Sequence, residues 1–210
     1  MTDGGECLAY CVGKKRADGE YVAPEHCDRP SGPAVFPAVR SPELLGLMRY
    51  WLSLREDSGV PERHRFDPVK VPALLSQFWI IQREDSTDRY RFLLAGEKIR
   101  SLLGRRVADI YVDELFAGHK TEMHEAIETV LDTPAVHYAV GPLYRAGMHA
   151  LQTERLALPM AEDGRVNTVY GATLYRKPVA VSNEPTEYIN DAQPVIVRSV
   201  DLPCRGCLMV

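Results

Sequence analysis

The chain has 210 residues, of which 45% are hydrophobic and 26% charged, with a formal net charge of -4 at pH 7. That length suits one domain with extensions, and that composition is ordinary for a globular protein. The acidic balance provides no basic field for nucleic acid or an anionic membrane, and no apolar run approaches the roughly 20 residues that a membrane span needs.

Residues 1–10 show no basic region followed by an apolar one, so no secretory leader is expected. A cytoplasmic location with reduced thiols follows as the expectation. Residues 1–40 hold Gly, Pro and charges without sustained periodicity and read as an N-terminal extension. Three cysteines, Cys7, Cys11 and Cys27, lie there.

Ser41-Pro42-Glu43 reads as a helix start. Ser can accept orphan N–H bonds, Pro suits the first turn, and Glu complements the dipole. Leu44, Leu47, Met48, Trp51 and Leu52 then recur at i, i+3, i+4, i+7 and i+8, which predicts an amphipathic helix over 41–57. Its stripe needs cover, because each large side chain buried is worth about 1.5–3 kcal/mol. Pro68 and Pro72 limit the next helical segment to about one turn around Ala73 to Leu75.

Phe78 to Gln82 and Tyr90 to Ala95 read as two strands joined by a polar turn, an antiparallel pair. Glu97 to Leu103 reads as a short helix stopped by Gly104. His119 to Leu131 is the clearest helix after that, with Met123, Ala126, Ile127, Val130 and Leu131 as its stripe. Val136 to Tyr144, Leu151 to Met160 and Val166 to Tyr175 read as three further strands. Leu156, Leu158 and Met160 point one way, and Glu162-Asp163-Gly164 marks a hairpin turn. Residues 177–210 read as a C-terminal tail with one candidate strand, Val195 to Val200, and a final Cys204-x2-Cys207 pair.

Two strands, a helical middle and three strands is the order of elements in a PAS domain, and over residues 41–176 the chain resembles the PAS superfamily. It looks like a group of bacterial stand-alone PAS proteins. These share a leading helix of the type Leu47-Met48-Arg49-Tyr50-Trp51, a Phe78-Trp79-Ile80 strand and a Tyr90-Arg91-Phe92 strand leading to Gly96. They also share the Leu158-Pro159-Met160…Asp163-Gly164 hairpin. The fold class expected is α+β: a five-stranded antiparallel sheet in the order 2-1-5-4-3, helices on one face, and an added N-terminal helix. The resemblance implies a signalling or protein-interaction module without catalysis, with a small-molecule or cofactor sensor as the alternative and an unrecognised enzyme third.

The resemblance also implies a cavity between the helical segment and the sheet. Its candidate lining is Phe92, Leu94, Ile99, Leu103, His119, Met123, Ile127, Tyr138 and Tyr170, and the competing expectation is a filled core. Light-sensing flavin chemistry needs a cysteine in that cavity, and no cysteine falls between Cys27 and Cys204, which disfavours flavin. Haem-binding relatives use a histidine on the long helix, where His119 has the better facing and His124 lies at the flank. No cofactor is the leading expectation, with haem as the alternative. Cys7, Cys11, Cys204 and Cys207 could supply four thiolates to zinc, although neither pair has the repeated context of a zinc module. Catalysis has little support. There is no phosphate loop or nucleophile elbow, and Glu128 stands where a metalloprotease helix starting at His124-Glu125 needs its second histidine.

The partners expected are a second copy of the chain, an unidentified signalling protein and a small molecule, but not nucleic acid or a membrane. Leu44, Leu47, Met48 and Trp51 are the candidate dimer interface, or else the joint between leading helix and sheet.

Overall fold

The computed structural model describes residues 14–15, 21–22, 39–56, 59–146, 149–175, 186–188 and 193–202. Ahead of the main body, Lys14–Lys15 pairs with Tyr21–Val22 in a two-residue antiparallel ladder. The leading helix α1 spans Pro42–Leu54. The sheet begins with β1 (Phe78–Glu84) and β2 (Arg89–Ala95). Helices α2 (Glu97–Leu103), α3 (Val112–Leu115) and α4 (Lys120–Asp132) follow. Then come β3 (Ala135–Ala146), β4 (His149–Glu162) and β5 (Arg165–Tyr175). The sheet is antiparallel in the order β2-β1-β5-β4-β3, as the element order predicts.

The sheet does not stop at five strands. β6 (Thr186–Tyr188) and β7 (Gln193–Arg198) both pair with β3, so the segment read as a tail adds two strands. The physical reason is the outer edge of β3, which would otherwise present unpaired backbone groups. β7 is also anchored from within. Val197 and Leu202 are buried in the core, and Ser199 N–H donates to Pro134 O at 2.7 Å.

The β4–β5 hairpin turns at Asp163 and Gly164, with φ of 52° and 77°. Two consecutive left-handed residues make the turn type that matches strand twist, and glycine adopts that region without strain.

Both faces of the sheet are covered. On one face, Leu44, Leu47, Met48, Trp51 and Leu52 have no accessible surface and pack with Tyr138, Leu156, Leu158, Met160, Tyr170 and Ala172. Trp51 Nε1–H donates to Pro159 O at 2.9 Å, which satisfies the buried indole. Phe66 seals the lower end of this layer, with its ring centroid 5.6 Å from Phe78 and 4.9 Å from Tyr170. On the other face, α4 packs with Ile127, Val130 and Leu131 over Ile81, Val169 and Leu151. Arg83 holds α4 in place by donating to Asp132 at 2.7 Å and to the Tyr90 hydroxyl at 3.0 Å. Arg89 holds α3 through Asp113 and Glu114, both at 2.9 Å, with its guanidinium 3.5 Å from the Tyr111 ring centre.

Of the two places expected for Leu44, Leu47, Met48 and Trp51, dimer interface or joint between helix and sheet, they occupy the joint, where all four are without accessible surface. Two finer expectations about α1 are corrected. The helix ends at Leu54 rather than running to 57, because Arg55 turns extended and sends its guanidinium to Gly59 O at 2.9 Å and Ser199 O at 2.7 Å. Ser41 makes no side-chain cap. The approach to the helix is held instead by the buried Glu154, whose Oε1 accepts from the N–H groups of Arg40 (2.9 Å) and Ser41 (2.8 Å) and from the Tyr138 hydroxyl (2.8 Å).

Truncating the joint should show its weight. Leu47→Ala is expected to cost about 2–5 kcal/mol, the range for a fully buried leucine. Leu47→Glu and Trp51→Glu should unfold the chain rather than release folded monomers. Urea titration followed by circular dichroism checks both, and folded Glu variants would contradict the joint.

Candidate functional site

The helical face of the sheet carries a partly open cavity of about 400 Å³. Its floor comes from the strand residues of one parity: Trp79 and Ile81 on β1, His137 and Ala139 on β3, Arg155 and Ala157 on β4, and Val169, Thr173 and Tyr175 on β5. Its roof is Ile99 and Leu103 of α2, Phe116, and Met123, Ala126, Ile127 and Val130 of α4. Pro194 and Ile196 of β7 contribute from the edge. The room exists because the middle of the floor is small. Ala139, Ala157 and Gly171 stand where larger side chains would reach the roof. At Gly171 the Trp79 indole occupies the place that a Cβ would need.

The polar groups of the cavity are concentrated around one strand position. Arg155 is paired with Ala139 on β3 and with Thr173 on β5. His137 and Tyr175 are therefore its diagonal neighbours on the same face, within reach of long side chains. Trp79 Nε1–H donates to Thr173 Oγ1 at 3.1 Å, which fixes the indole plane. Burial pushes His137 down to about 4, helped by the positive charge of Arg155, so its ring is neutral at pH 7. Burial pushes the Tyr175 hydroxyl well above its ordinary range, opposed by Arg155, so it stays protonated. Among the described residues, the floor thus brings the Arg155 side chain together with a neutral His137 ring and a protonated Tyr175 hydroxyl. Glu122 and Glu125 stand at the helical rim with exposed side chains.

Of the nine candidate lining residues, Phe92, Ile99, Leu103, Met123 and Ile127 are in the cavity wall, and Leu94, His119, Tyr138 and Tyr170 are not. Tyr138 and Tyr170 oppose Leu156 and Leu158 in the ladder and so face α1. Leu94 pairs with Ile80 while Phe92 pairs with Ile81, so a bulge at Leu93 reverses the facing and leaves Leu94 41% exposed. His119 precedes α4 and lies 3.3 Å from Glu122 Oε2 through Nδ1, outside the cavity wall. His124 packs edge-on against Tyr90, ring centroids 4.8 Å apart. Arg155, His137, Tyr175, Thr173 and Trp79 were not foreseen. The available signal was parity: each lies at the opposite alternation to Leu156, Leu158 and Met160 or to their ladder partners.

Among the described residues, no group of three or more His, Cys, Asp or Glu is placed to hold a metal ion. The candidate thiolates Cys7, Cys11, Cys204 and Cys207 lie outside the described residues. Among the described residues, no helix is long and apolar enough to cross a membrane.

Two outcomes test the floor. His137 is held at about 4 against an ordinary 6.5, so between those values the unfolded chain binds a proton that the folded chain does not. The contribution of this neutral ring is complete above pH 6.5 and is lost as pH falls from 6.5 to about 4. Denaturation midpoints across that window should fall with pH, and His137→Leu should flatten this part of the curve. Gly171→Ala should push Trp79 off the floor, costing about 1–3 kcal/mol and shifting tryptophan emission. An unchanged emission spectrum would contradict the packing.

Residues 39–174 match the family model described as PAS domain. No curated protein and no solved structure matches the chain. The family match covers α1, the helices over the cavity and all five strands in the PAS order, and the chain belongs to the PAS domain family, whose members serve as signalling or sensory modules.

Proposed function

We propose that this PAS domain is a small-molecule sensor whose ligand occupies the cavity between the sheet and α2–α4. The observation that carries this reading is the cavity itself. Its volume of about 400 Å³ lies in the range of about 300–1,000 Å³ usual for ligand sites. It also has the composition of such sites, an apolar wall with a few convergent polar groups. The opposite face of the same sheet is filled by α1, so the contrast lies within one molecule.

Occupancy would be felt in β7, because Pro194 and Ile196 are part of the wall. That strand leads into the turn that Arg55 grips at Ser199, which gives the ligand a route to the end of α1. No catalytic role is assigned to the domain. Self-association, which the family makes common, would use a surface other than the buried α1 stripe.

The second reading is an interaction module with no ligand. It is favoured by Val195, Ile196 and Val200, which are 44%, 47% and 51% exposed along the tail segment. Denaturing the purified protein and analysing the supernatant by mass spectrometry separates the two. The sensor reading expects a released small molecule, or a compound that raises the melting temperature by mass action. It also expects Ala157→Phe, which fills the floor, to remain folded and abolish that response. A protein that releases nothing and is stabilised by no compound would favour the interaction module.

A further inference from the structure

One row of the cavity floor runs across four strands: Trp79 on β1 pairs with Gly171 on β5, Gly171 with Ala157 on β4, and Ala157 with His137 on β3. The row carries a ring at each end and small residues between. A Cβ placed at Gly171 would stand 2.2 Å from Cζ2 of the Trp79 indole and 2.5 Å from both Cε2 and Cη2. It would be nearly as close to the two flanking atoms as to the central one, so it would stand over the ring face, since at the ring edge the flanking atoms lie much farther off. A strand Cβ points away from the sheet. The indole therefore lies flat across β5, with one face on the Gly171 backbone and the other turned toward the helices. The Nε1–H bond to Thr173, two residues along the same strand, pins it in that plane. The upper face borders the cavity. Trp79 also keeps accessible surface where Phe78 and Ile81 of the same strand are buried. Among the described residues, no other aromatic ring stacks on it.

We infer that the ligand is a planar aromatic molecule that stacks on the upper face of the Trp79 indole. Aromatic rings attract one another in offset-stacked arrangements, beyond what the burial of their area provides. A platform whose plane is fixed before binding loses little freedom on meeting its partner. The rest of the wall suits a ring as well. Phe92 and Phe116 offer edges and faces, and Met123 a thioether, which is favourable at a ring edge. The small side chain of Ala157 beside Gly171 lets a flat body extend along the row toward His137. This inference rests on the cavity being a ligand site.

Two probes test it: 2-naphthol and decahydro-2-naphthol, which share a ten-carbon bicyclic skeleton and a hydroxyl but differ in aromaticity and flatness. Their affinities for the full chain are measured by calorimetry. 2-Naphthol is expected to bind about two- to twelvefold more tightly, the gain that stacking adds to burial. It should also quench the emission of Trp79, while Trp51, buried under α1 on the other face of the sheet, does not respond. Trp79→Leu should remove both the preference and the quenching and leave decahydro-2-naphthol binding in place. Trp79→Phe, which keeps a smaller ring, should retain part of the preference and keeps the test informative if the leucine variant does not fold. Equal binding of the two probes, a preference for the saturated one, or a preference that survives Trp79→Leu would overturn the stacking inference while the ligand-site reading stands. Binding of neither would overturn the inference and count against the ligand site itself.

Discussion

Each strand of the central sheet faces two interiors at once. Successive side chains alternate between the layer under α1 and the layer under α2–α4. A shift of one residue in any strand would exchange the two sets. The even positions of β4, Leu156, Leu158 and Met160, must meet α1, and the odd positions, Arg155 and Ala157, must meet the helices. Everything else depends on that division. The α1 face has aliphatic and aromatic side chains at nearly every contact. The helical face has alanine, glycine, threonine, histidine and arginine at its centre and cannot fill itself.

Burying α1 so completely raises a problem at both of its ends, where the backbone has unsatisfied groups. The two solutions are charged and opposite. Glu154, from the sheet, meets the N-terminal end and accepts two backbone N–H groups and a tyrosine hydroxyl. Arg55 leaves the C-terminal end and donates to Gly59 and Ser199 carbonyls while lying 5.4 Å from the Trp51 ring centre. Each sign matches the helix dipole at its own end. A buried charge is costly unless hydrogen-bonded, and both of these are. The same two residues determine where α1 can lie, because each reaches a partner about a hundred residues or more away in the chain.

The fold was largely legible in the sequence because its signals are local. The stripe from Leu44 to Leu52, the polar turn after β1 and the Asp163-Gly164 turn each name an element without needing the others. The site was half legible. Helical positions such as Ile99, Met123 and Ile127 could be assigned, since a helix with one apolar face has only one way to dock. Strand positions could not be assigned by hydrophobicity, because this sheet is buried on both sides and both parities are apolar in places. Tyr138 and Tyr170 look like cavity residues until the ladder pairs them with Leu156 and Leu158. A strict count by twos would have moved them and brought in Arg155 and His137. No count would have corrected Leu94, because the bulge at Leu93 is a register shift that composition does not announce.

The cavity also redraws the physical unit. The family match ends at residue 174, yet Tyr175, Pro194 and Ile196 are part of the cavity wall. Val197 and Leu202 are in the α1 core, and Ser199 is gripped by Arg55. The last strand therefore touches both interiors, one through Ile196 and the other through Val197, by the same alternation that divides the sheet. A change in what fills the cavity and a change in how α1 is seated would meet at adjacent residues of one edge strand. Edge strands are held by one neighbour only, and β7 pairs with β3 as β2 pairs with β1. Of these two edge strands of the wall, β7 is the one with a side chain in the α1 core as well, so it joins the two interiors at the margin of the sheet.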